Sequence, residues 1–214
     1  MLEGRKGTGD LAGIWRNSGE GYGLIAIVLH WLIAIAIIGL LGLGTIMVDL
    51  RKSDPSTFEL YQLHKSIGIT VLVLSLARLG WRIANQVPPL PSTLRPWEVR
   101  LARLTHVGFY ILMIAMPLSG WMMVSASPWN IPTVLYGVVE LPHLPVLETL
   151  PDKKAAEGAL KSVHELLAWG AAGLLALHVA GALKHQFVLR DGAMARMLPR
   201  PALWRTAPDE KDNR

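Results

Sequence analysis

Four long apolar segments constrain the fold of this chain more than any other feature of its sequence. They run over about Tyr22–Val48, Leu60–Ala84, Val99–Val124 and Leu160–Leu189. Each is long enough to cross a hydrocarbon core of roughly 30 Å, which takes about 20 helical residues. Because an open sheet would leave backbone groups unpaired in lipid, the segments are predicted to be helices. The chain is therefore predicted to be all-α, an integral membrane four-helix bundle in contact with lipid.

The composition agrees with a membrane protein and excludes several cofactor classes. Hydrophobic residues make up 51% of the 214 residues and charged residues only 17%, which is less charge than soluble domains carry. The sequence has no cysteine, which excludes disulfides, iron–sulfur clusters and covalently attached c-type haem. Basic residues flanking the spans explain the net charge of +5 better than nucleic-acid binding does. No cleavable signal peptide is expected, because the first apolar stretch is too long for one.

The connections between the spans are polar or rich in proline. Asp49–Glu59 is predicted to be a short polar link with Pro55 as a breaker, and Asn85–Pro96 cannot continue a helix. Ser125–Ala159 holds five prolines and is predicted to form an extramembrane cap with a short helix. Pro117 is predicted to kink the third span.

The placement of lysine and arginine predicts the orientation of the bundle. Basic residues are more numerous on the side with both tails and the second connection. The positive-inside rule then places both termini in the cytoplasm. We expect cytoplasmic tails over residues 1–21 and 201–214 and a transmembrane domain over residues 22–200. The basic residues of the opposite, periplasmic side are Arg51, Lys52, Lys65, Lys153, Lys154 and Lys161.

Four histidines lie inside the spans at paired depths. His164 and His178 are fourteen residues apart, which puts them on one helix face about 21 Å apart along the axis. Because neighbouring spans alternate in direction, His30 lies at a depth close to that of His178, and His64 close to that of His164. Such residues are rare inside membrane helices unless they have a function. The pattern predicts a cytoplasmic pair, His30 with His178, and a periplasmic pair, His64 with His164.

The paired depths favour haem ligation over a packing role or a zinc site. A lone histidine in a helix is more often packed or hydrogen-bonded than a ligand, but four at matched depths favour ligation. Zinc would need its ligands within one coordination sphere, whereas the two pairs are roughly 20 Å apart. Bis-histidine ligation leaves no open iron position, which suits electron transfer. We therefore expect two b haems per chain, stacked across the membrane.

Residues 22–200 resemble the bacterial cytochrome b561 family of four-helix di-haem b proteins. The matching stretches are IVLHWLIA, YQLHKSIGI, RLTHVGFYILMIAMPLSGW, VHELLAWGAAGLLALHVAGALKHQF and RDGAMARMLPR. The resemblance implies that the haem iron is bound by His30, His64, His164 and His178, in agreement with the depth argument.

The resemblance also implies two functions. It is strongest to members of the superoxide:quinone oxidoreductase type, which implies electron transfer from superoxide, or another periplasmic one-electron donor, to a membrane quinone such as ubiquinone. The family also includes cytochrome subunits of hydrogenases and other dehydrogenases. The alternative is therefore a haem-bearing membrane anchor that exchanges electrons with a redox partner protein.

Further residues are predicted to support the cofactors. Arg78 shares a helix face with His64 at the cytoplasmic level and is a candidate partner of a haem propionate, unless it is a snorkelling arginine. His185 competes with His178 as the inner ligand, but its position near the helix end suits hydrogen bonding to a quinone better. His106 is expected to form an interhelical hydrogen bond and His143 to lie on the surface.

Two groups of residues have open roles. The lysines of the periplasmic side are predicted either to attract an anionic donor or to form a solvated rim. These outer lysines are Lys52, Lys65, Lys153, Lys154 and Lys161. Gly68, Gly120 and Gly173 either admit a porphyrin face or pack helices, and packing is favoured for each.

Overall fold

Four long helices dominate the fold. The computed structural model describes residues 14–198, except Glu20 and residues 51–54 and 92–93. The helices are α1 (Leu24–Asp49), α2 (Pro55–Ala84), α3 (Pro96–Ser125), the short α4 (Pro145–Glu148) and α5 (Lys153–Leu183). Apart from α4, each is long and apolar enough to cross a membrane. The prediction of an all-α membrane bundle with four spans is confirmed.

The helix ends depart from the predicted bounds in the polar first turns. Pro55 begins α2 and does not lie within a link, because the fixed φ of proline suits the first turn of a helix. The α5 helix begins at Lys153, seven residues before the apolar segment, and the Asp152 carboxylate caps it by accepting a hydrogen bond from Ala155 N at 3.0 Å. At its other end α5 continues as a π-helix, Lys184–Leu189, followed by a 3-10 turn, Met194–Met197.

The segment between α3 and α5 contains a β-hairpin that the sequence did not predict. Strands β1 (Thr133–Leu135) and β2 (Val139–Leu141) pair antiparallel, with Thr133 opposite Leu141. The predicted short helix is present as α4, but the cap is shorter than Ser125–Ala159, since both of those residues lie in the flanking helices.

The hairpin is fixed to the outer end of α2 by hydrogen bonds. The Pro132 carbonyl accepts from Gln62 Nε2 at 2.9 Å and from Lys65 Nζ at 3.1 Å. Tyr136 N donates to Ser66 Oγ at 3.0 Å, next to a hydroxyl pair formed by Tyr136 and Thr70. The cap therefore lies over the end of the bundle where His64 is located.

The helices pack in chain order and bury few side chains. The backbone of α1 packs on α2, that of α2 on α3, and that of α3 on α5. A small apolar cluster of Ile33, Val71 and Met113 joins the first three helices. Long apolar side chains point outwards, including Ile35 and Leu166 at 65% and 72% exposed, as lipid-facing positions require.

Candidate functional site

The structure brings His64 of α2 and His164 of α5 together at the level of the cap. Their ring centres are 6.4 Å apart and the rings are inclined at 71°. Both side chains are partly buried. The two histidines of the predicted outer pair therefore face each other across the space between two helices.

The inner pair has nearly the same geometry. His30 of α1 and His178 of α5 have ring centres 6.1 Å apart and an angle of 67° between the rings. Phe109 of α3 packs edge-on against His178 at 5.3 Å, and Trp31 packs against His30 at 5.4 Å. Aromatic side chains thus surround the inner pair.

A third histidine lies beside the inner pair. The ring centre of His106, on α3, is 6.2 Å from that of His178 in an edge-to-face contact, and the expected interhelical hydrogen bond of His106 is not seen among the described residues. Ring geometry alone therefore makes both His30 and His106 suitable partners for His178. The resemblance in the first span, by contrast, assigns the ligand role to His30.

The backbones of the helices that carry each pair lie apart. Within the described residues, α5 has at most marginal backbone contact with α1 or α2, although its two histidines face theirs. The histidine side chains of each pair therefore approach each other across a gap between the helix backbones. A flat group placed between α5 and the other two helices would contact both imidazoles of a pair.

The ring separations fit axial ligation of one metal ion by each pair. A metal midway between two imidazoles, at a metal–nitrogen distance of about 2.0 Å, would hold the ring centres roughly 6.3 Å apart. The observed 6.1 and 6.4 Å lie on either side of that value. Among the described residues, no group of three or more His, Cys, Asp or Glu could hold a metal ion. The remaining ligands would have to come from the cofactor, as a porphyrin supplies them.

Buried donors near the end of the bundle opposite the cap fit an anionic group. Arg78 Nη1 and Trp81 Nε1 are buried and have no hydrogen-bond partner among the described residues. A buried donor without an acceptor costs about 1–3 kcal/mol, and more if it is charged. The Arg78 guanidinium therefore suits a carboxylate such as a haem propionate.

Of the three glycines, only Gly120 has a close neighbour. A Cβ added at Gly120 would lie 3.2 Å from His164 Cε1, so this glycine gives the imidazole room. The prediction of helix packing is wrong for Gly68 and Gly173, because a Cβ there would meet no described atom within 4 Å. Gly68, one turn from His64 on the same face, leaves space beside that ring.

His185 forms a hydrogen bond with Asp191 that the sequence did not predict. Its Nδ1 lies 2.6 Å from Asp191 Oδ2, and these side chains are 22% and 5% exposed. Burial would raise the pKa of the Asp191 carboxyl, but hydrogen bonds from Ala193 N and His185 hold it below its usual value. The π-helix holds His185, so α-helical spacing from His178 does not extend to it.

The outer lysines and His143 differ in their surroundings. The ammonium groups of Lys65 and Lys153 bind cap oxygens, of Pro132 and Asn130, at 3.1 and 2.9 Å. Lys154 and Lys161 are exposed, and Lys52 lies outside the described residues. His143 is partly exposed, and its Nε2 lies 3.3 Å from the Ile131 carbonyl.

Sequence reasoning missed Ser119, whose hydroxyl contacts an outer histidine. Ser119 Oγ lies 2.9 Å from His164 Nδ1. The only signal in the sequence is a polar residue two positions after Pro117 inside an apolar span. The contact itself depends on how α3 packs against α5, which spacing along one helix does not reveal.

A multi-pass helical membrane protein with facing histidines across its bundle is the class defined by this fold and site. A family model described as prokaryotic cytochrome b561 matches residues 21–200. The chain belongs to this family and is a membrane haem protein of the electron-transfer type.

Individual relatives agree with this assignment. Cytochrome b561 homolog 2 of Escherichia coli (strain K12) is 35% identical over 183 residues, which cover 85% of this chain and 93% of the relative. The probable superoxide oxidase CybB of Yersinia pestis is 29% identical over 84% of this chain and 96% of its own length. Cytochrome b561 homolog 1 of Escherichia coli (strain K12) is 28% identical, over 81% and 94% of the two lengths.

Proposed function

We propose that this protein binds two b haems and transfers electrons from superoxide on the periplasmic side to ubiquinone on the cytoplasmic side. The observation that carries the proposal is the pair of facing histidines at each of two levels, with ring centres 6.4 and 6.1 Å apart. A relative named as a probable superoxide oxidase supports the choice of donor. The inner membrane and cytoplasmic termini are part of the same proposal.

The proposed ligands are His64 and His164 for the outer haem and His30 and His178 for the inner one. When bound there, haem supplies one-electron redox chemistry. With two histidines holding each haem, the iron would have no ligand position left open for oxygen. Arg78 is the proposed partner of an inner-haem propionate. Its buried Nη1, which has no hydrogen-bond partner in the described part of the chain, supports this assignment.

The overall reaction balances with two superoxide ions for each quinone. Each superoxide loses one electron and leaves as dioxygen, and the quinone gains two electrons and two protons to become quinol. Lys153, Lys154 and Lys161 surround the outer end of α5, where their charge would attract an anion. At the other end, His185 would hydrogen-bond the quinone and transfer a proton to it, while the Asp191 carboxylate orients the imidazole.

The direct test is the reduction of purified, haem-loaded protein by an enzymatic superoxide source, followed at the haem absorbance bands. We expect reduction that superoxide dismutase abolishes, and reoxidation with quinol formation when ubiquinone is added. His143→Ala, on the cap, is a matched histidine control and should behave as the wild type. Reduction that is insensitive to superoxide dismutase would contradict superoxide as the donor.

A haem-bearing anchor for a partner dehydrogenase or hydrogenase is the second candidate. Exposed apolar side chains on the outer cap favour it, since Trp129, Val138 and Val146 are 78%, 83% and 77% exposed. Co-purification of one stoichiometric redox partner, with no reduction by superoxide, would support this function in place of the first.

A further inference from the structure

Ser119 is a buried hydroxyl that joins a backbone carbonyl to a proposed haem ligand. Its side chain is 5% exposed and lies in the membrane-crossing helix α3. The Oγ atom is 2.7 Å from the Met116 carbonyl oxygen and 2.9 Å from His164 Nδ1. Both distances are those of well-formed hydrogen bonds.

The number of protons determines which atom donates in each bond. A serine hydroxyl has one hydrogen, and a carbonyl oxygen can only accept, so the hydroxyl donates to Met116. Ser119 Oγ must then accept from the imidazole, which places the ring proton of His164 on Nδ1. A neutral imidazole has a single ring proton, so the lone pair of Nε2 is free to bind a metal.

We propose that Ser119 is a positioning residue for His164, which fixes both the ring orientation and the tautomer that iron ligation requires. This inference rests on the proposed function, in which His164 is an outer haem ligand. Hydrogen bonds from a ligating histidine to an outer acceptor commonly have this role and raise the basicity of the ligand.

The adjacent residue supports this role. Gly120 admits the imidazole, because a Cβ there would lie 3.2 Å from His164 Cε1 and 3.5 Å from Nδ1. Two consecutive residues of α3 therefore define the position of the ring, one by a hydrogen bond and the other by the absence of a side chain.

The second outer histidine is not held in the same way. His64 Nδ1 is buried and has no hydrogen-bond partner among the described residues. The two proposed ligands of the outer haem are therefore unequal, and only His164 has an acceptor for its Nδ1–H within the described part of the chain. We infer that Ser119 raises the electron donation of His164 and so favours oxidised iron at the outer haem.

The test compares Ser119→Ala and Ser119→Thr with the wild type, and uses Ser162→Ala as a matched control. Ser162 is an exposed serine of α5 whose hydroxyl binds only the Gly158 carbonyl in the described structure. The measurements are haem content per chain, the low-spin electron paramagnetic resonance spectrum of the oxidised protein, and a potentiometric titration. None of these depends on turnover.

We expect S119A to change the spectrum of one haem and to raise its ratio of reduced to oxidised form at a fixed potential. The expected increase is about tenfold at most, which is the lower limit of the effects on metal affinity or activity when outer-shell partners are removed. S119T keeps the hydroxyl and should restore wild-type behaviour, and S162A should not differ from the wild type. Wild-type haem content, spectrum and potential in S119A would overturn the inference.

Two further variants keep the test decisive. If S119A fails to insert into the membrane, Ser119→Cys replaces the oxygen by a weak sulfur acceptor and should give the same shifts. His164→Ala distinguishes the assignment of His164 as a haem ligand from the positioning role of Ser119. Unchanged haem content in H164A would refute the ligand assignment itself, whereas loss of one haem in H164A with an unchanged S119A would refute the role of Ser119 alone.

Discussion

His30 and His178 face each other with ring centres 6.1 Å apart, although α1 and α5 have at most marginal backbone contact within the described residues. The outer pair repeats this relationship between α2 and α5. Both histidines of α5 thus point towards helices that α5 does not pack against. This arrangement is the reason to expect a cofactor, and not a hydrogen bond, between the members of each pair.

Replacing His164 or His64 by alanine should remove the outer haem and leave the inner one. Haem content should fall from about two per chain to about one, since each variant lacks one of the two proposed ligands of the outer haem. Pyridine haemochrome absorbance against protein concentration measures this. Loss of both haems from a fully inserted variant, or of neither, would contradict the pairing.

His106→Ala should retain the inner haem, whereas His30→Ala should lose it. Both rings lie at similar distances from His178, 6.2 and 6.1 Å, so only the comparison of variants separates them. The haem content and reduced-minus-oxidised spectrum of each variant decide the question. An intact inner haem in H30A combined with its loss in H106A would reverse the assignment.

His185→Gln should slow quinone reduction about tenfold or more while both haems remain bound, because a general acid contributes at least that much. Asp191→Asn should have a smaller effect, roughly three- to tenfold, since it only orients the imidazole. The rate of haem reoxidation by ubiquinone is the measurement, with the neighbouring Gln186→Ala as the control. Loss of the inner haem from H185Q would make His185 the ligand in place of His178.

The same pair predicts a pH dependence. The folded-state pKa of Asp191 is below its usual value of 3.8. A depressed carboxyl pKa stabilises the fold above the unfolded pKa, and the stabilisation is lost as the pH falls through the lowered value. Thermal unfolding of the wild type and D191N should therefore differ near neutral pH and converge only in strong acid. A difference that disappears between roughly pH 5 and 8 would show that another group is responsible.

Changing Lys153, Lys154 and Lys161 together to glutamine should slow reduction by superoxide, roughly tenfold at low ionic strength. The dependence of the rate on salt should become flatter, because screening acts on the charges that were removed. Stopped-flow haem reduction at several salt concentrations measures both effects. Arg100→Gln, on the opposite side, is the control, and an equal loss of rate in that variant would exclude local attraction at the outer face.

The spans and the histidine pairs could be predicted because their signals are local. Apolar length identifies a membrane helix, and the spacing of His164 and His178 fixes their separation without knowledge of any other helix. The polar first turns of α2 and α5 carry no apolar signal, so those helices begin earlier than predicted.

Features that depend on contacts between distant parts of the chain were not predictable. The hairpin forms over a proline-rich apolar stretch because Gln62 and Ser66 of α2 satisfy its backbone groups. The His185–Asp191 pair depends on the π-helix, which no periodicity indicated. Ser119 became visible only when α3 and α5 were placed side by side.

Within the described residues α5 packs closely on α3 but at most marginally on α1 and α2, and this has a consequence for biogenesis. Because backbone packing among the described residues does not join α5 closely to the first two helices, we expect a porphyrin to be able to enter between them from the bilayer after all four helices have been inserted. Once bound, the cofactors would connect α5 firmly to α1 and α2, with which it otherwise has at most marginal backbone contact among the described residues. We therefore expect the chain to reach its full resistance to proteolysis only after haem loading. The α5 helix should be the last helix to become protected.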